Sequence, residues 1–311
     1  MKNNKIKVGI SGCLLGENVR YDGGHRYNSH IVEALQKHCH FSNFCPETNI
    51  GLGTPRAPLQ LHWQNNSLQC LGVENPSINV TQQLKDCANH QQHLHQQLSA
   101  YIFKKNSPSC GPQGVKAIRD GQVEFTGTGI FAQQLQENFP HLPVADEGML
   151  SQAEALQNFM QRVVVYQRWQ SLKGSDLNKT RLEHFHQRHY LLIKSHDEMA
   201  CQTLEHLLSN AVNRSIKDLA EHYINALMES LRKTASRENH FKVLGSLADR
   251  IRTHLNQTQF HRIEKSLAQF RIGTCSQQTL LGLFKPYMDK ESDIRYAQSY
   301  YLAPHALELL D

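Results

Sequence analysis

The 311-residue sequence has no run of 18 apolar residues, no C-x-x-C pair and no H-E-x-x-H motif. The first absence argues against a transmembrane helix. The second argues against zinc fingers and thioredoxin-like chemistry, and the third against a common zinc site. The chain also begins without an apolar stretch long enough for a secretory signal. We therefore expect a cytoplasmic protein with no membrane partner, in which the eight cysteines are not paired in disulfides.

Charge is mildly positive and unevenly distributed. The chain has 33 Lys and Arg residues against 28 Asp and Glu, a formal net charge of +5. Residues 232–271 hold nine basic and three acidic residues, a local charge of +6. This concentration permits an anionic partner such as nucleic acid, although a solvated helical face explains the charge as well.

The hydrophobic pattern changes near residue 150. Before that point, short apolar runs alternate with helical segments, which predicts an α/β domain with a mostly parallel sheet. After it, apolar residues recur at helical spacing, as over 216–231, which predicts an all-α domain. We therefore assign residues 1–150 and 151–311 to two domains.

Three cysteines occupy equivalent positions in the predicted α/β domain, because each follows an apolar run. These cysteines are Cys13 after 5–11, Cys45 after 41–44 and Cys110 after 101–104. In parallel sheets ligands bind beyond the carboxyl ends of the strands, so we expect the three thiols to meet there. Thiolates are the usual ligands of iron–sulfur clusters, although three small buried hydrophobic residues would give the same pattern.

The segments around these cysteines carry further motifs. They are GISGCLLG at 9–16, VRYDGG at 19–24, CPE at 45–47, GLGTPR at 51–56 and SPSCG at 107–111. In this order they closely resemble the thiouracil desulfurase family over about residues 4–148. The resemblance implies a [4Fe-4S] cluster held by Cys13, Cys45 and Cys110, with one iron left open to take sulfur from a thiolated pyrimidine.

Catalytic roles follow from motif position within this resemblance. Glu47 and Ser107 match the family's catalytic carboxylate and hydroxyl, which implies a general base and a proton relay. A helix cap or an ion pair with Arg56 is the simpler explanation for Glu47, and a turn is the simpler one for Ser107. The predicted substrate-binding residues are Arg20, Tyr21, Asp22, Arg56 and Ser109.

The other cysteines and the clustered histidines are interpreted as structural. We expect His184, His186 and His189 to lie on the surface of a helix, since no zinc-site spacing accompanies them. The cysteines predicted to be structural thiols are Cys39, Cys70, Cys87, Cys201 and Cys275.

The helical half is similar to a domain of formerly unknown function that occurs fused to this desulfurase domain and as a separate bacterial protein. The similar stretches are 185–196, 240–245 and 296–304. The fused arrangement resembles bacterial tRNA 4-thiouridine desulfidases, which implies tRNA as a partner and a hydrosulfide product. The predicted tRNA phosphate contacts are Arg237, Lys242, Arg250, Arg252, Arg262 and Lys265.

Three functions remain open at this point. The first is removal of sulfur from 4-thiouridine in tRNA to give uridine. The second is the same chemistry on free thiouracil or a thionucleoside, with the helical domain supporting only the fold or an oligomer. The third is a non-catalytic nucleic-acid-binding protein with a structural cluster. All three require the cysteines to converge, and the oligomeric state stays undetermined.

Overall fold

The structure is a computed structural model that describes residues 5–211, 214–288 and 291–303. The chain divides between Gln167 and Arg168 into two compact units, which we call the N-terminal unit and the helical unit. This division falls inside one helix, Ala153–Lys173, whereas the predicted boundary precedes that helix. Residues 304–311 of the predicted second domain lie outside the described residues.

Over residues 5–167, the described part of the N-terminal unit contains eight strands arranged in two four-stranded sheets. In chain order the strands are β1 (Ile6–Ser11), β2 (Cys39–Phe44), β3 (Leu59–Gln64), β4 (Ser67–Gly72), β5 (Ala100–Phe103), β6 (Val115–Arg119), β7 (Gln122–Gly127) and β8 (Val144–Asp146).

The first sheet has the order β2-β1-β5-β8 and is entirely parallel. Its central strand β5 is a continuous apolar run with all four residues buried. Such runs are typical of parallel sheets, which are covered on both faces. Ile10 of β1 pairs with Asn43 on one side and Ile102 on the other, so three neighbouring strands end at nearly the same level. The predicted α/β fold is confirmed.

The second sheet has the order β4-β3-β6-β7. The apolar runs 59–63 and 67–73, separated by Asn65 and Asn66, predict a hairpin. Strands β3 and β4 form it as an antiparallel pair, and both asparagines adopt a positive φ. The β6–β7 hairpin was not predicted. It turns at Asp120 and Gly121, also with positive φ angles, as tight hairpin turns require. The mixed polar sequence of β7 concealed it, since this edge strand is mostly exposed.

Short helices connect the strands of the N-terminal unit. The sequence, with Thr81 as a possible cap, predicts one helix over 81–99. That prediction is wrong, because the chain breaks at Gln91 and a second short helix follows. The break turns Leu94 outward, 49% exposed, and His95 inward. The helices are α1 (Ser29–Leu35), α2 (Pro46–Asn49), α3 (Thr81–His90), α4 (Gln92–His95) and α5 (Ile130–Asn138), followed by the shared α6 (Ala153–Lys173).

The described part of the helical unit is built from helices, as the 3.6-residue periodicity predicts. In the helix Ile216–Ser230, for example, Leu219, Tyr223 and Leu227 lie on the buried face. After α6 the helices are α7 (Lys179–His196), α8 (Glu198–Ser209), α9 (Ile216–Ser230), α10 (Arg237–Ile251), α11 (Gln257–Arg271), α12 (Gln277–Met288) and α13 (Ile294–Ala297).

The expectation of surface histidines on α7 is wrong for two of the three residues. His186 and His189 are buried, whereas His184 is exposed. Nδ1 of His186 lies 3.2 Å from the Tyr223 hydroxyl, and Nδ1 of His189 lies 2.7 Å from the Phe185 carbonyl oxygen. The two rings therefore serve the core of the helical unit.

Within the ranges that the structure describes, no helix combines the length and the apolar character needed to cross a bilayer.

Candidate active site

The three predicted ligand cysteines follow three neighbouring strands of the parallel sheet. Cys13 lies in a 3-10 turn, Gly12–Leu15, directly after β1. Cys45 is the first residue after β2 and precedes Pro46, which opens α2. Cys110 lies in the loop that leaves β5. Since these strands are adjacent and parallel, their carboxyl ends bring the three loops together, as the sequence predicts.

One cavity of about 460 Å³ is lined by Cys13, Cys45 and Cys110. Each thiol also interacts electrostatically with the other two. Among the described residues, no three or more His, Cys, Asp or Glu side chains form a group able to hold a metal ion. A four-iron cluster binds each ligand sulfur to a different iron, so its ligands need not surround one point. Three thiols facing one cavity fit the donor chemistry of such a cluster.

Burial disfavours the thiolate form of two of the three cysteines. It raises the pKa of Cys13 to about 11, although the nearby Lys104 ammonium opposes the shift. Burial also raises the pKa of Cys110 well above its usual value, and the nearby Cys45 and Glu47 add to the shift. Iron binds thiolates, so iron binding at these two thiols would release protons.

Glu47 lines the same cavity and is held at both carboxylate oxygens. Arg56 Nε donates to Glu47 Oε2 over 2.8 Å, and the Ser109 hydroxyl donates to Oε1 over 2.8 Å. Arg56 also donates to the carbonyl oxygens of Gly53 and Val19, both within 3 Å. The ion pair that was the simpler explanation for Glu47 is therefore present, and it fixes the carboxylate at the cavity wall.

Ser107 both forms a turn and lines the cavity. Its hydroxyl oxygen accepts the backbone N–H of Cys110 at 3.0 Å and that of Ser109 at 3.3 Å. Its carbonyl oxygen accepts the N–H of Gly111 at 2.8 Å. The hydroxyl accepts twice here, so its own proton is free to point into the cavity.

Three of the five predicted substrate-binding residues line the cavity, namely Arg20, Tyr21 and Arg56. Asp22 is not among the lining residues; it is exposed and pairs with Arg20 at 3.3 Å. Ser109 is fully buried and positions Glu47 instead of facing the cavity.

The sequence interpretation missed Ser11 and Lys104, which also line the cavity. Ser11 is the last residue of β1 and is 3% exposed; its hydroxyl accepts the Lys104 backbone N–H at 3.0 Å and hydrogen-bonds to Cys110. The Lys104 ammonium pairs with Glu147. The signal that could have found both is their place at the ends of β1 and β5, next to the cysteine loops.

The cysteines interpreted as structural lie outside the cavity wall. Cys39, Cys87 and Cys201 are buried, and Cys70 belongs to the apolar cluster of the second sheet. All eight cysteines are free thiols.

The predicted phosphate contacts in the helical unit divide into two groups. Arg250 pairs with Glu291 at 2.8 Å, and Arg237 donates to the Phe270 carbonyl oxygen at 3.0 Å. Arg252 lies over the Phe260 ring, 4.7 Å from its centroid. In the described part of the chain, no acidic partner is found for Lys242, Arg252, Arg262 or Lys265.

Comparison with known proteins finds two family models that match parts of the chain. Residues 8–147 match the model of a family described as 2-thiouracil desulfurase. This match lies within the N-terminal unit. Residues 190–306 match a second model, described as a protein of unknown function (DUF1722). The predicted ligands and both predicted catalytic residues lie within the 2-thiouracil desulfurase match.

A solved structure entitled [4Fe-4S]-dependent thiouracil desulfidase TudS is 30% identical to the chain. The alignment covers 47% of this chain and 94% of that chain, with a TM-score of 0.39. No curated protein matches the chain.

Proposed function

We propose that the chain is an iron–sulfur-dependent desulfidase that replaces the C=S group of a thiolated pyrimidine by C=O. The match of residues 8–147 to the 2-thiouracil desulfurase family model supports the reaction class. The observation that carries the proposal is the single cavity whose wall contains Cys13, Cys45, Cys110, Glu47 and Ser107. Three thiols in that wall would hold the [4Fe-4S] cluster, leaving one iron without a protein ligand.

The overall reaction consumes one water and releases one hydrosulfide. The water oxygen bonds to the ring carbon, the carbon–sulfur bond breaks, and the two water protons leave with or beside the sulfur. Carbon keeps its oxidation state, so no external oxidant or reductant is needed. An open iron in a bound cluster supplies a Lewis acid with high affinity for sulfur.

Glu47 is the proposed base for the attacking water. The carboxylate keeps lone pairs free after accepting from Arg56 and Ser109. Because these two contacts fix its orientation, Glu47 can accept a proton from a water at a defined point of the cavity wall. Arg56 and Ser109 are thus positioning residues for Glu47.

Ser107 is the proposed proton relay or water-orienting group. Its oxygen already accepts two backbone N–H groups, which pre-sets the direction of its own O–H. Arg20 and Tyr21, on the same wall, are the proposed contacts to the pyrimidine or its phosphate.

The proposed substrate is 4-thiouridine within tRNA. Support comes from the helical unit, whose residues 232–271 carry a local charge of +6. Lys242, Arg252, Arg262 and Lys265 have no ion-pair partner among the described residues and are exposed, so they are the proposed phosphate contacts.

Free thiouracil is the second candidate substrate. The similar solved structure, named a thiouracil desulfidase, aligns with only 47% of this chain. The cavity lies entirely in the N-terminal unit. Chemistry on the free base would therefore not need the helical unit.

The test is turnover by protein reconstituted anaerobically with iron and sulfide. We expect loss of 4-thiouridine absorbance from tRNA, release of one hydrosulfide per uridine formed, and a higher kcat/KM for tRNA than for free 4-thiouracil. If the cluster-loaded protein acts on the free base alone, free thiouracil and not 4-thiouridine in tRNA is the substrate. A loaded protein inactive on both would refute the desulfidase proposal.

A further inference from the structure

Lys104 is a half-buried cation in the wall of the cavity. Its side chain is 18% exposed, and the residue lines the cavity together with the three cysteines, Glu47 and Ser107. A lysine ammonium is strongly hydrated, so holding it away from most of the water costs free energy unless other groups bind it. The groups that bind the ammonium therefore decide what it can do in the cavity.

Segments at the ends of three strands hold Lys104 in place. Its backbone N–H donates to the hydroxyl of Ser11, at the end of β1, over 3.0 Å. Its ammonium pairs with Glu147, directly after β8, and donates to the Lys105 carbonyl oxygen over 3.0 Å. The Glu147 carboxylate also accepts the Lys105 backbone N–H over 2.7 Å. The ammonium is thus fixed in position, unlike that of an ordinary surface lysine.

These contacts leave one N–H of the ammonium unused. A protonated lysine has three N–H donors, and within the described residues only Glu147 and the Lys105 carbonyl oxygen accept from Lys104. Lys105 lines the cavity too, but it is exposed, so water can bind its ammonium. The third N–H of Lys104 is therefore available to a ligand in the cavity.

The charge of Lys104 acts on the side of the cavity where sulfur would be released. Its ammonium is the strongest influence that favours the Cys13 thiolate, against the effect of burial on the Cys13 pKa. Desulfuration leaves a hydrosulfide anion in a cavity that already contains the Glu47 carboxylate. Arg56 is engaged elsewhere, because each of its three nitrogens donates within the protein. Lys104 is the half-buried cation with a donor to spare.

We propose that Lys104 is a catalytic residue whose unused N–H binds the sulfur as it leaves the pyrimidine, and then the hydrosulfide. The inference rests on the proposed desulfidase function and assigns a residue to the product side of that reaction. Lys104 keeps its proton, so it adds no proton or electron to the overall reaction. A charged donor binds an anion more strongly than a neutral group, so the ammonium stabilises the departing sulfur more than the C=S group of the substrate.

The first experiment measures hydrosulfide binding to the cluster-loaded, full-length protein by titration with sodium hydrosulfide, followed in the visible spectrum. The variant Lys104→Gln removes the charge but keeps an N–H donor for Glu147. We expect its Kd for hydrosulfide to rise roughly 10–100-fold, the loss of one hydrogen bond from a charged donor. Lys116→Gln removes an exposed cation outside the cavity wall and should bind hydrosulfide as the parent protein does.

Turnover distinguishes sulfur release from substrate binding. The substrate is whichever of 4-thiouridine tRNA and free 4-thiouracil the parent protein uses. Lys104→Gln should lower kcat about tenfold and leave KM within about twofold, because the lost contact forms only as the sulfur departs. A raised KM together with parental hydrosulfide binding would overturn the inference and assign Lys104 to substrate recognition.

A second variant and thermal unfolding separate this role from a structural one. Lys104→Arg keeps a charged donor and should bind hydrosulfide more tightly than Lys104→Gln at equal iron content. Equal losses in both variants, with lower melting temperatures of the metal-free proteins, would assign position 104 to the fold. If the parent protein is active and Lys104→Gln behaves like Lys116→Gln, the inference alone fails. If the cluster-loaded parent protein is inactive on both substrates, the proposed function fails and the inference with it.

Discussion

The two units of this protein use their polar side chains in opposite ways. In the N-terminal unit, thiols, hydroxyls and a carboxylate stand on loops at strand ends and face one cavity. In the helical unit, arginines lie over aromatic rings of the same unit, as Arg250 does over Tyr296 at 4.0 Å and Arg271 over Phe241 at 4.7 Å. A sheet satisfies its own backbone hydrogen bonds, so the loops at its edge are free to carry chemistry.

The same contrast applies to charge. The local +6 of residues 232–271 overstates the cations open to a partner, because Arg232, Lys233 and Arg271 form ion pairs within the helical unit. In the N-terminal unit the Glu47–Arg56 pair fixes a group at the cavity instead of neutralising a surface. Net charge alone therefore does not distinguish a binding surface from internal pairing.

The largest expected effect is loss of the cluster when a predicted ligand cysteine of the N-terminal unit is replaced, in contrast to a cysteine of the helical unit. Cys110→Ser should abolish cluster binding, since serine is a poor iron ligand and two thiols do not hold a four-iron cluster. Iron and sulfide analysis after anaerobic reconstitution measures this loss. The matched control is Cys201→Ser, a buried thiol of the helical unit. Equal iron content in both variants would contradict the ligand assignment.

The next effect concerns Glu47. Glu47→Gln keeps the shape and the Ser109 contact but removes the proposed base, so we expect kcat to fall by about 10²–10⁴-fold with the cluster retained. Steady-state turnover and the visible spectrum together measure this. Glu74→Gln, an exposed change in the same unit, is the control. Parental turnover by Glu47→Gln would show that Glu47 is not the base.

Acid should destabilise the helical unit more than the N-terminal unit. Burial lowers the pKa of His186 and of His240 to about 4, and that of His189 well below its usual value. In the N-terminal unit, burial lowers the pKa of His95 to about 4. The unfolded chain takes up these protons below about pH 6.5 and the native state does not, so stability falls as pH falls from 6.5 towards 4.

At pH 5 each such histidine should lower the free energy of unfolding by roughly 2 kcal/mol. Trp63 lies in the N-terminal unit and Trp169 in the helical unit, so Trp63→Phe and Trp169→Phe each leave one fluorescent reporter. Between pH 7 and pH 5, the melting temperature reported by Trp169 should fall more than that reported by Trp63. Equal losses at both reporters would show that the buried histidines do not distinguish the units.

The smallest effect tests the proposed tRNA contacts. The triple change Lys242→Ala, Arg262→Ala and Lys265→Ala should raise KM for tRNA about tenfold and weaken its salt dependence, while turnover of free 4-thiouracil stays parental. Lys37→Ala with Lys116→Ala removes exposed cations from the N-terminal unit as the control. An equal effect of both variants on tRNA would exclude a specific surface on α10 and α11.

Much of the N-terminal unit was predictable because its signals are local. The apolar runs that became β1, β2 and β5 and the turn-rich segments after them placed all three cysteines correctly beyond strand ends. The β6–β7 hairpin escaped because β7 lies at a sheet edge, where exposure removes the alternation that marks a strand. His186 and His189 were misplaced because their burial depends on rings from other segments of the chain, namely Tyr223 of α9 and Tyr300 after α13.

The sequence by itself determined the fold class, the residue types at the strand ends and the family resemblance, since periodicity and motif order are properties of the chain. Only the tertiary structure decided that the three thiols share a cavity with Glu47 and Ser107, that Ser109 supports Glu47, and that Ser11 lies beside Cys110. Strand order and register bring together residues distant in sequence, and neither is written in any single segment.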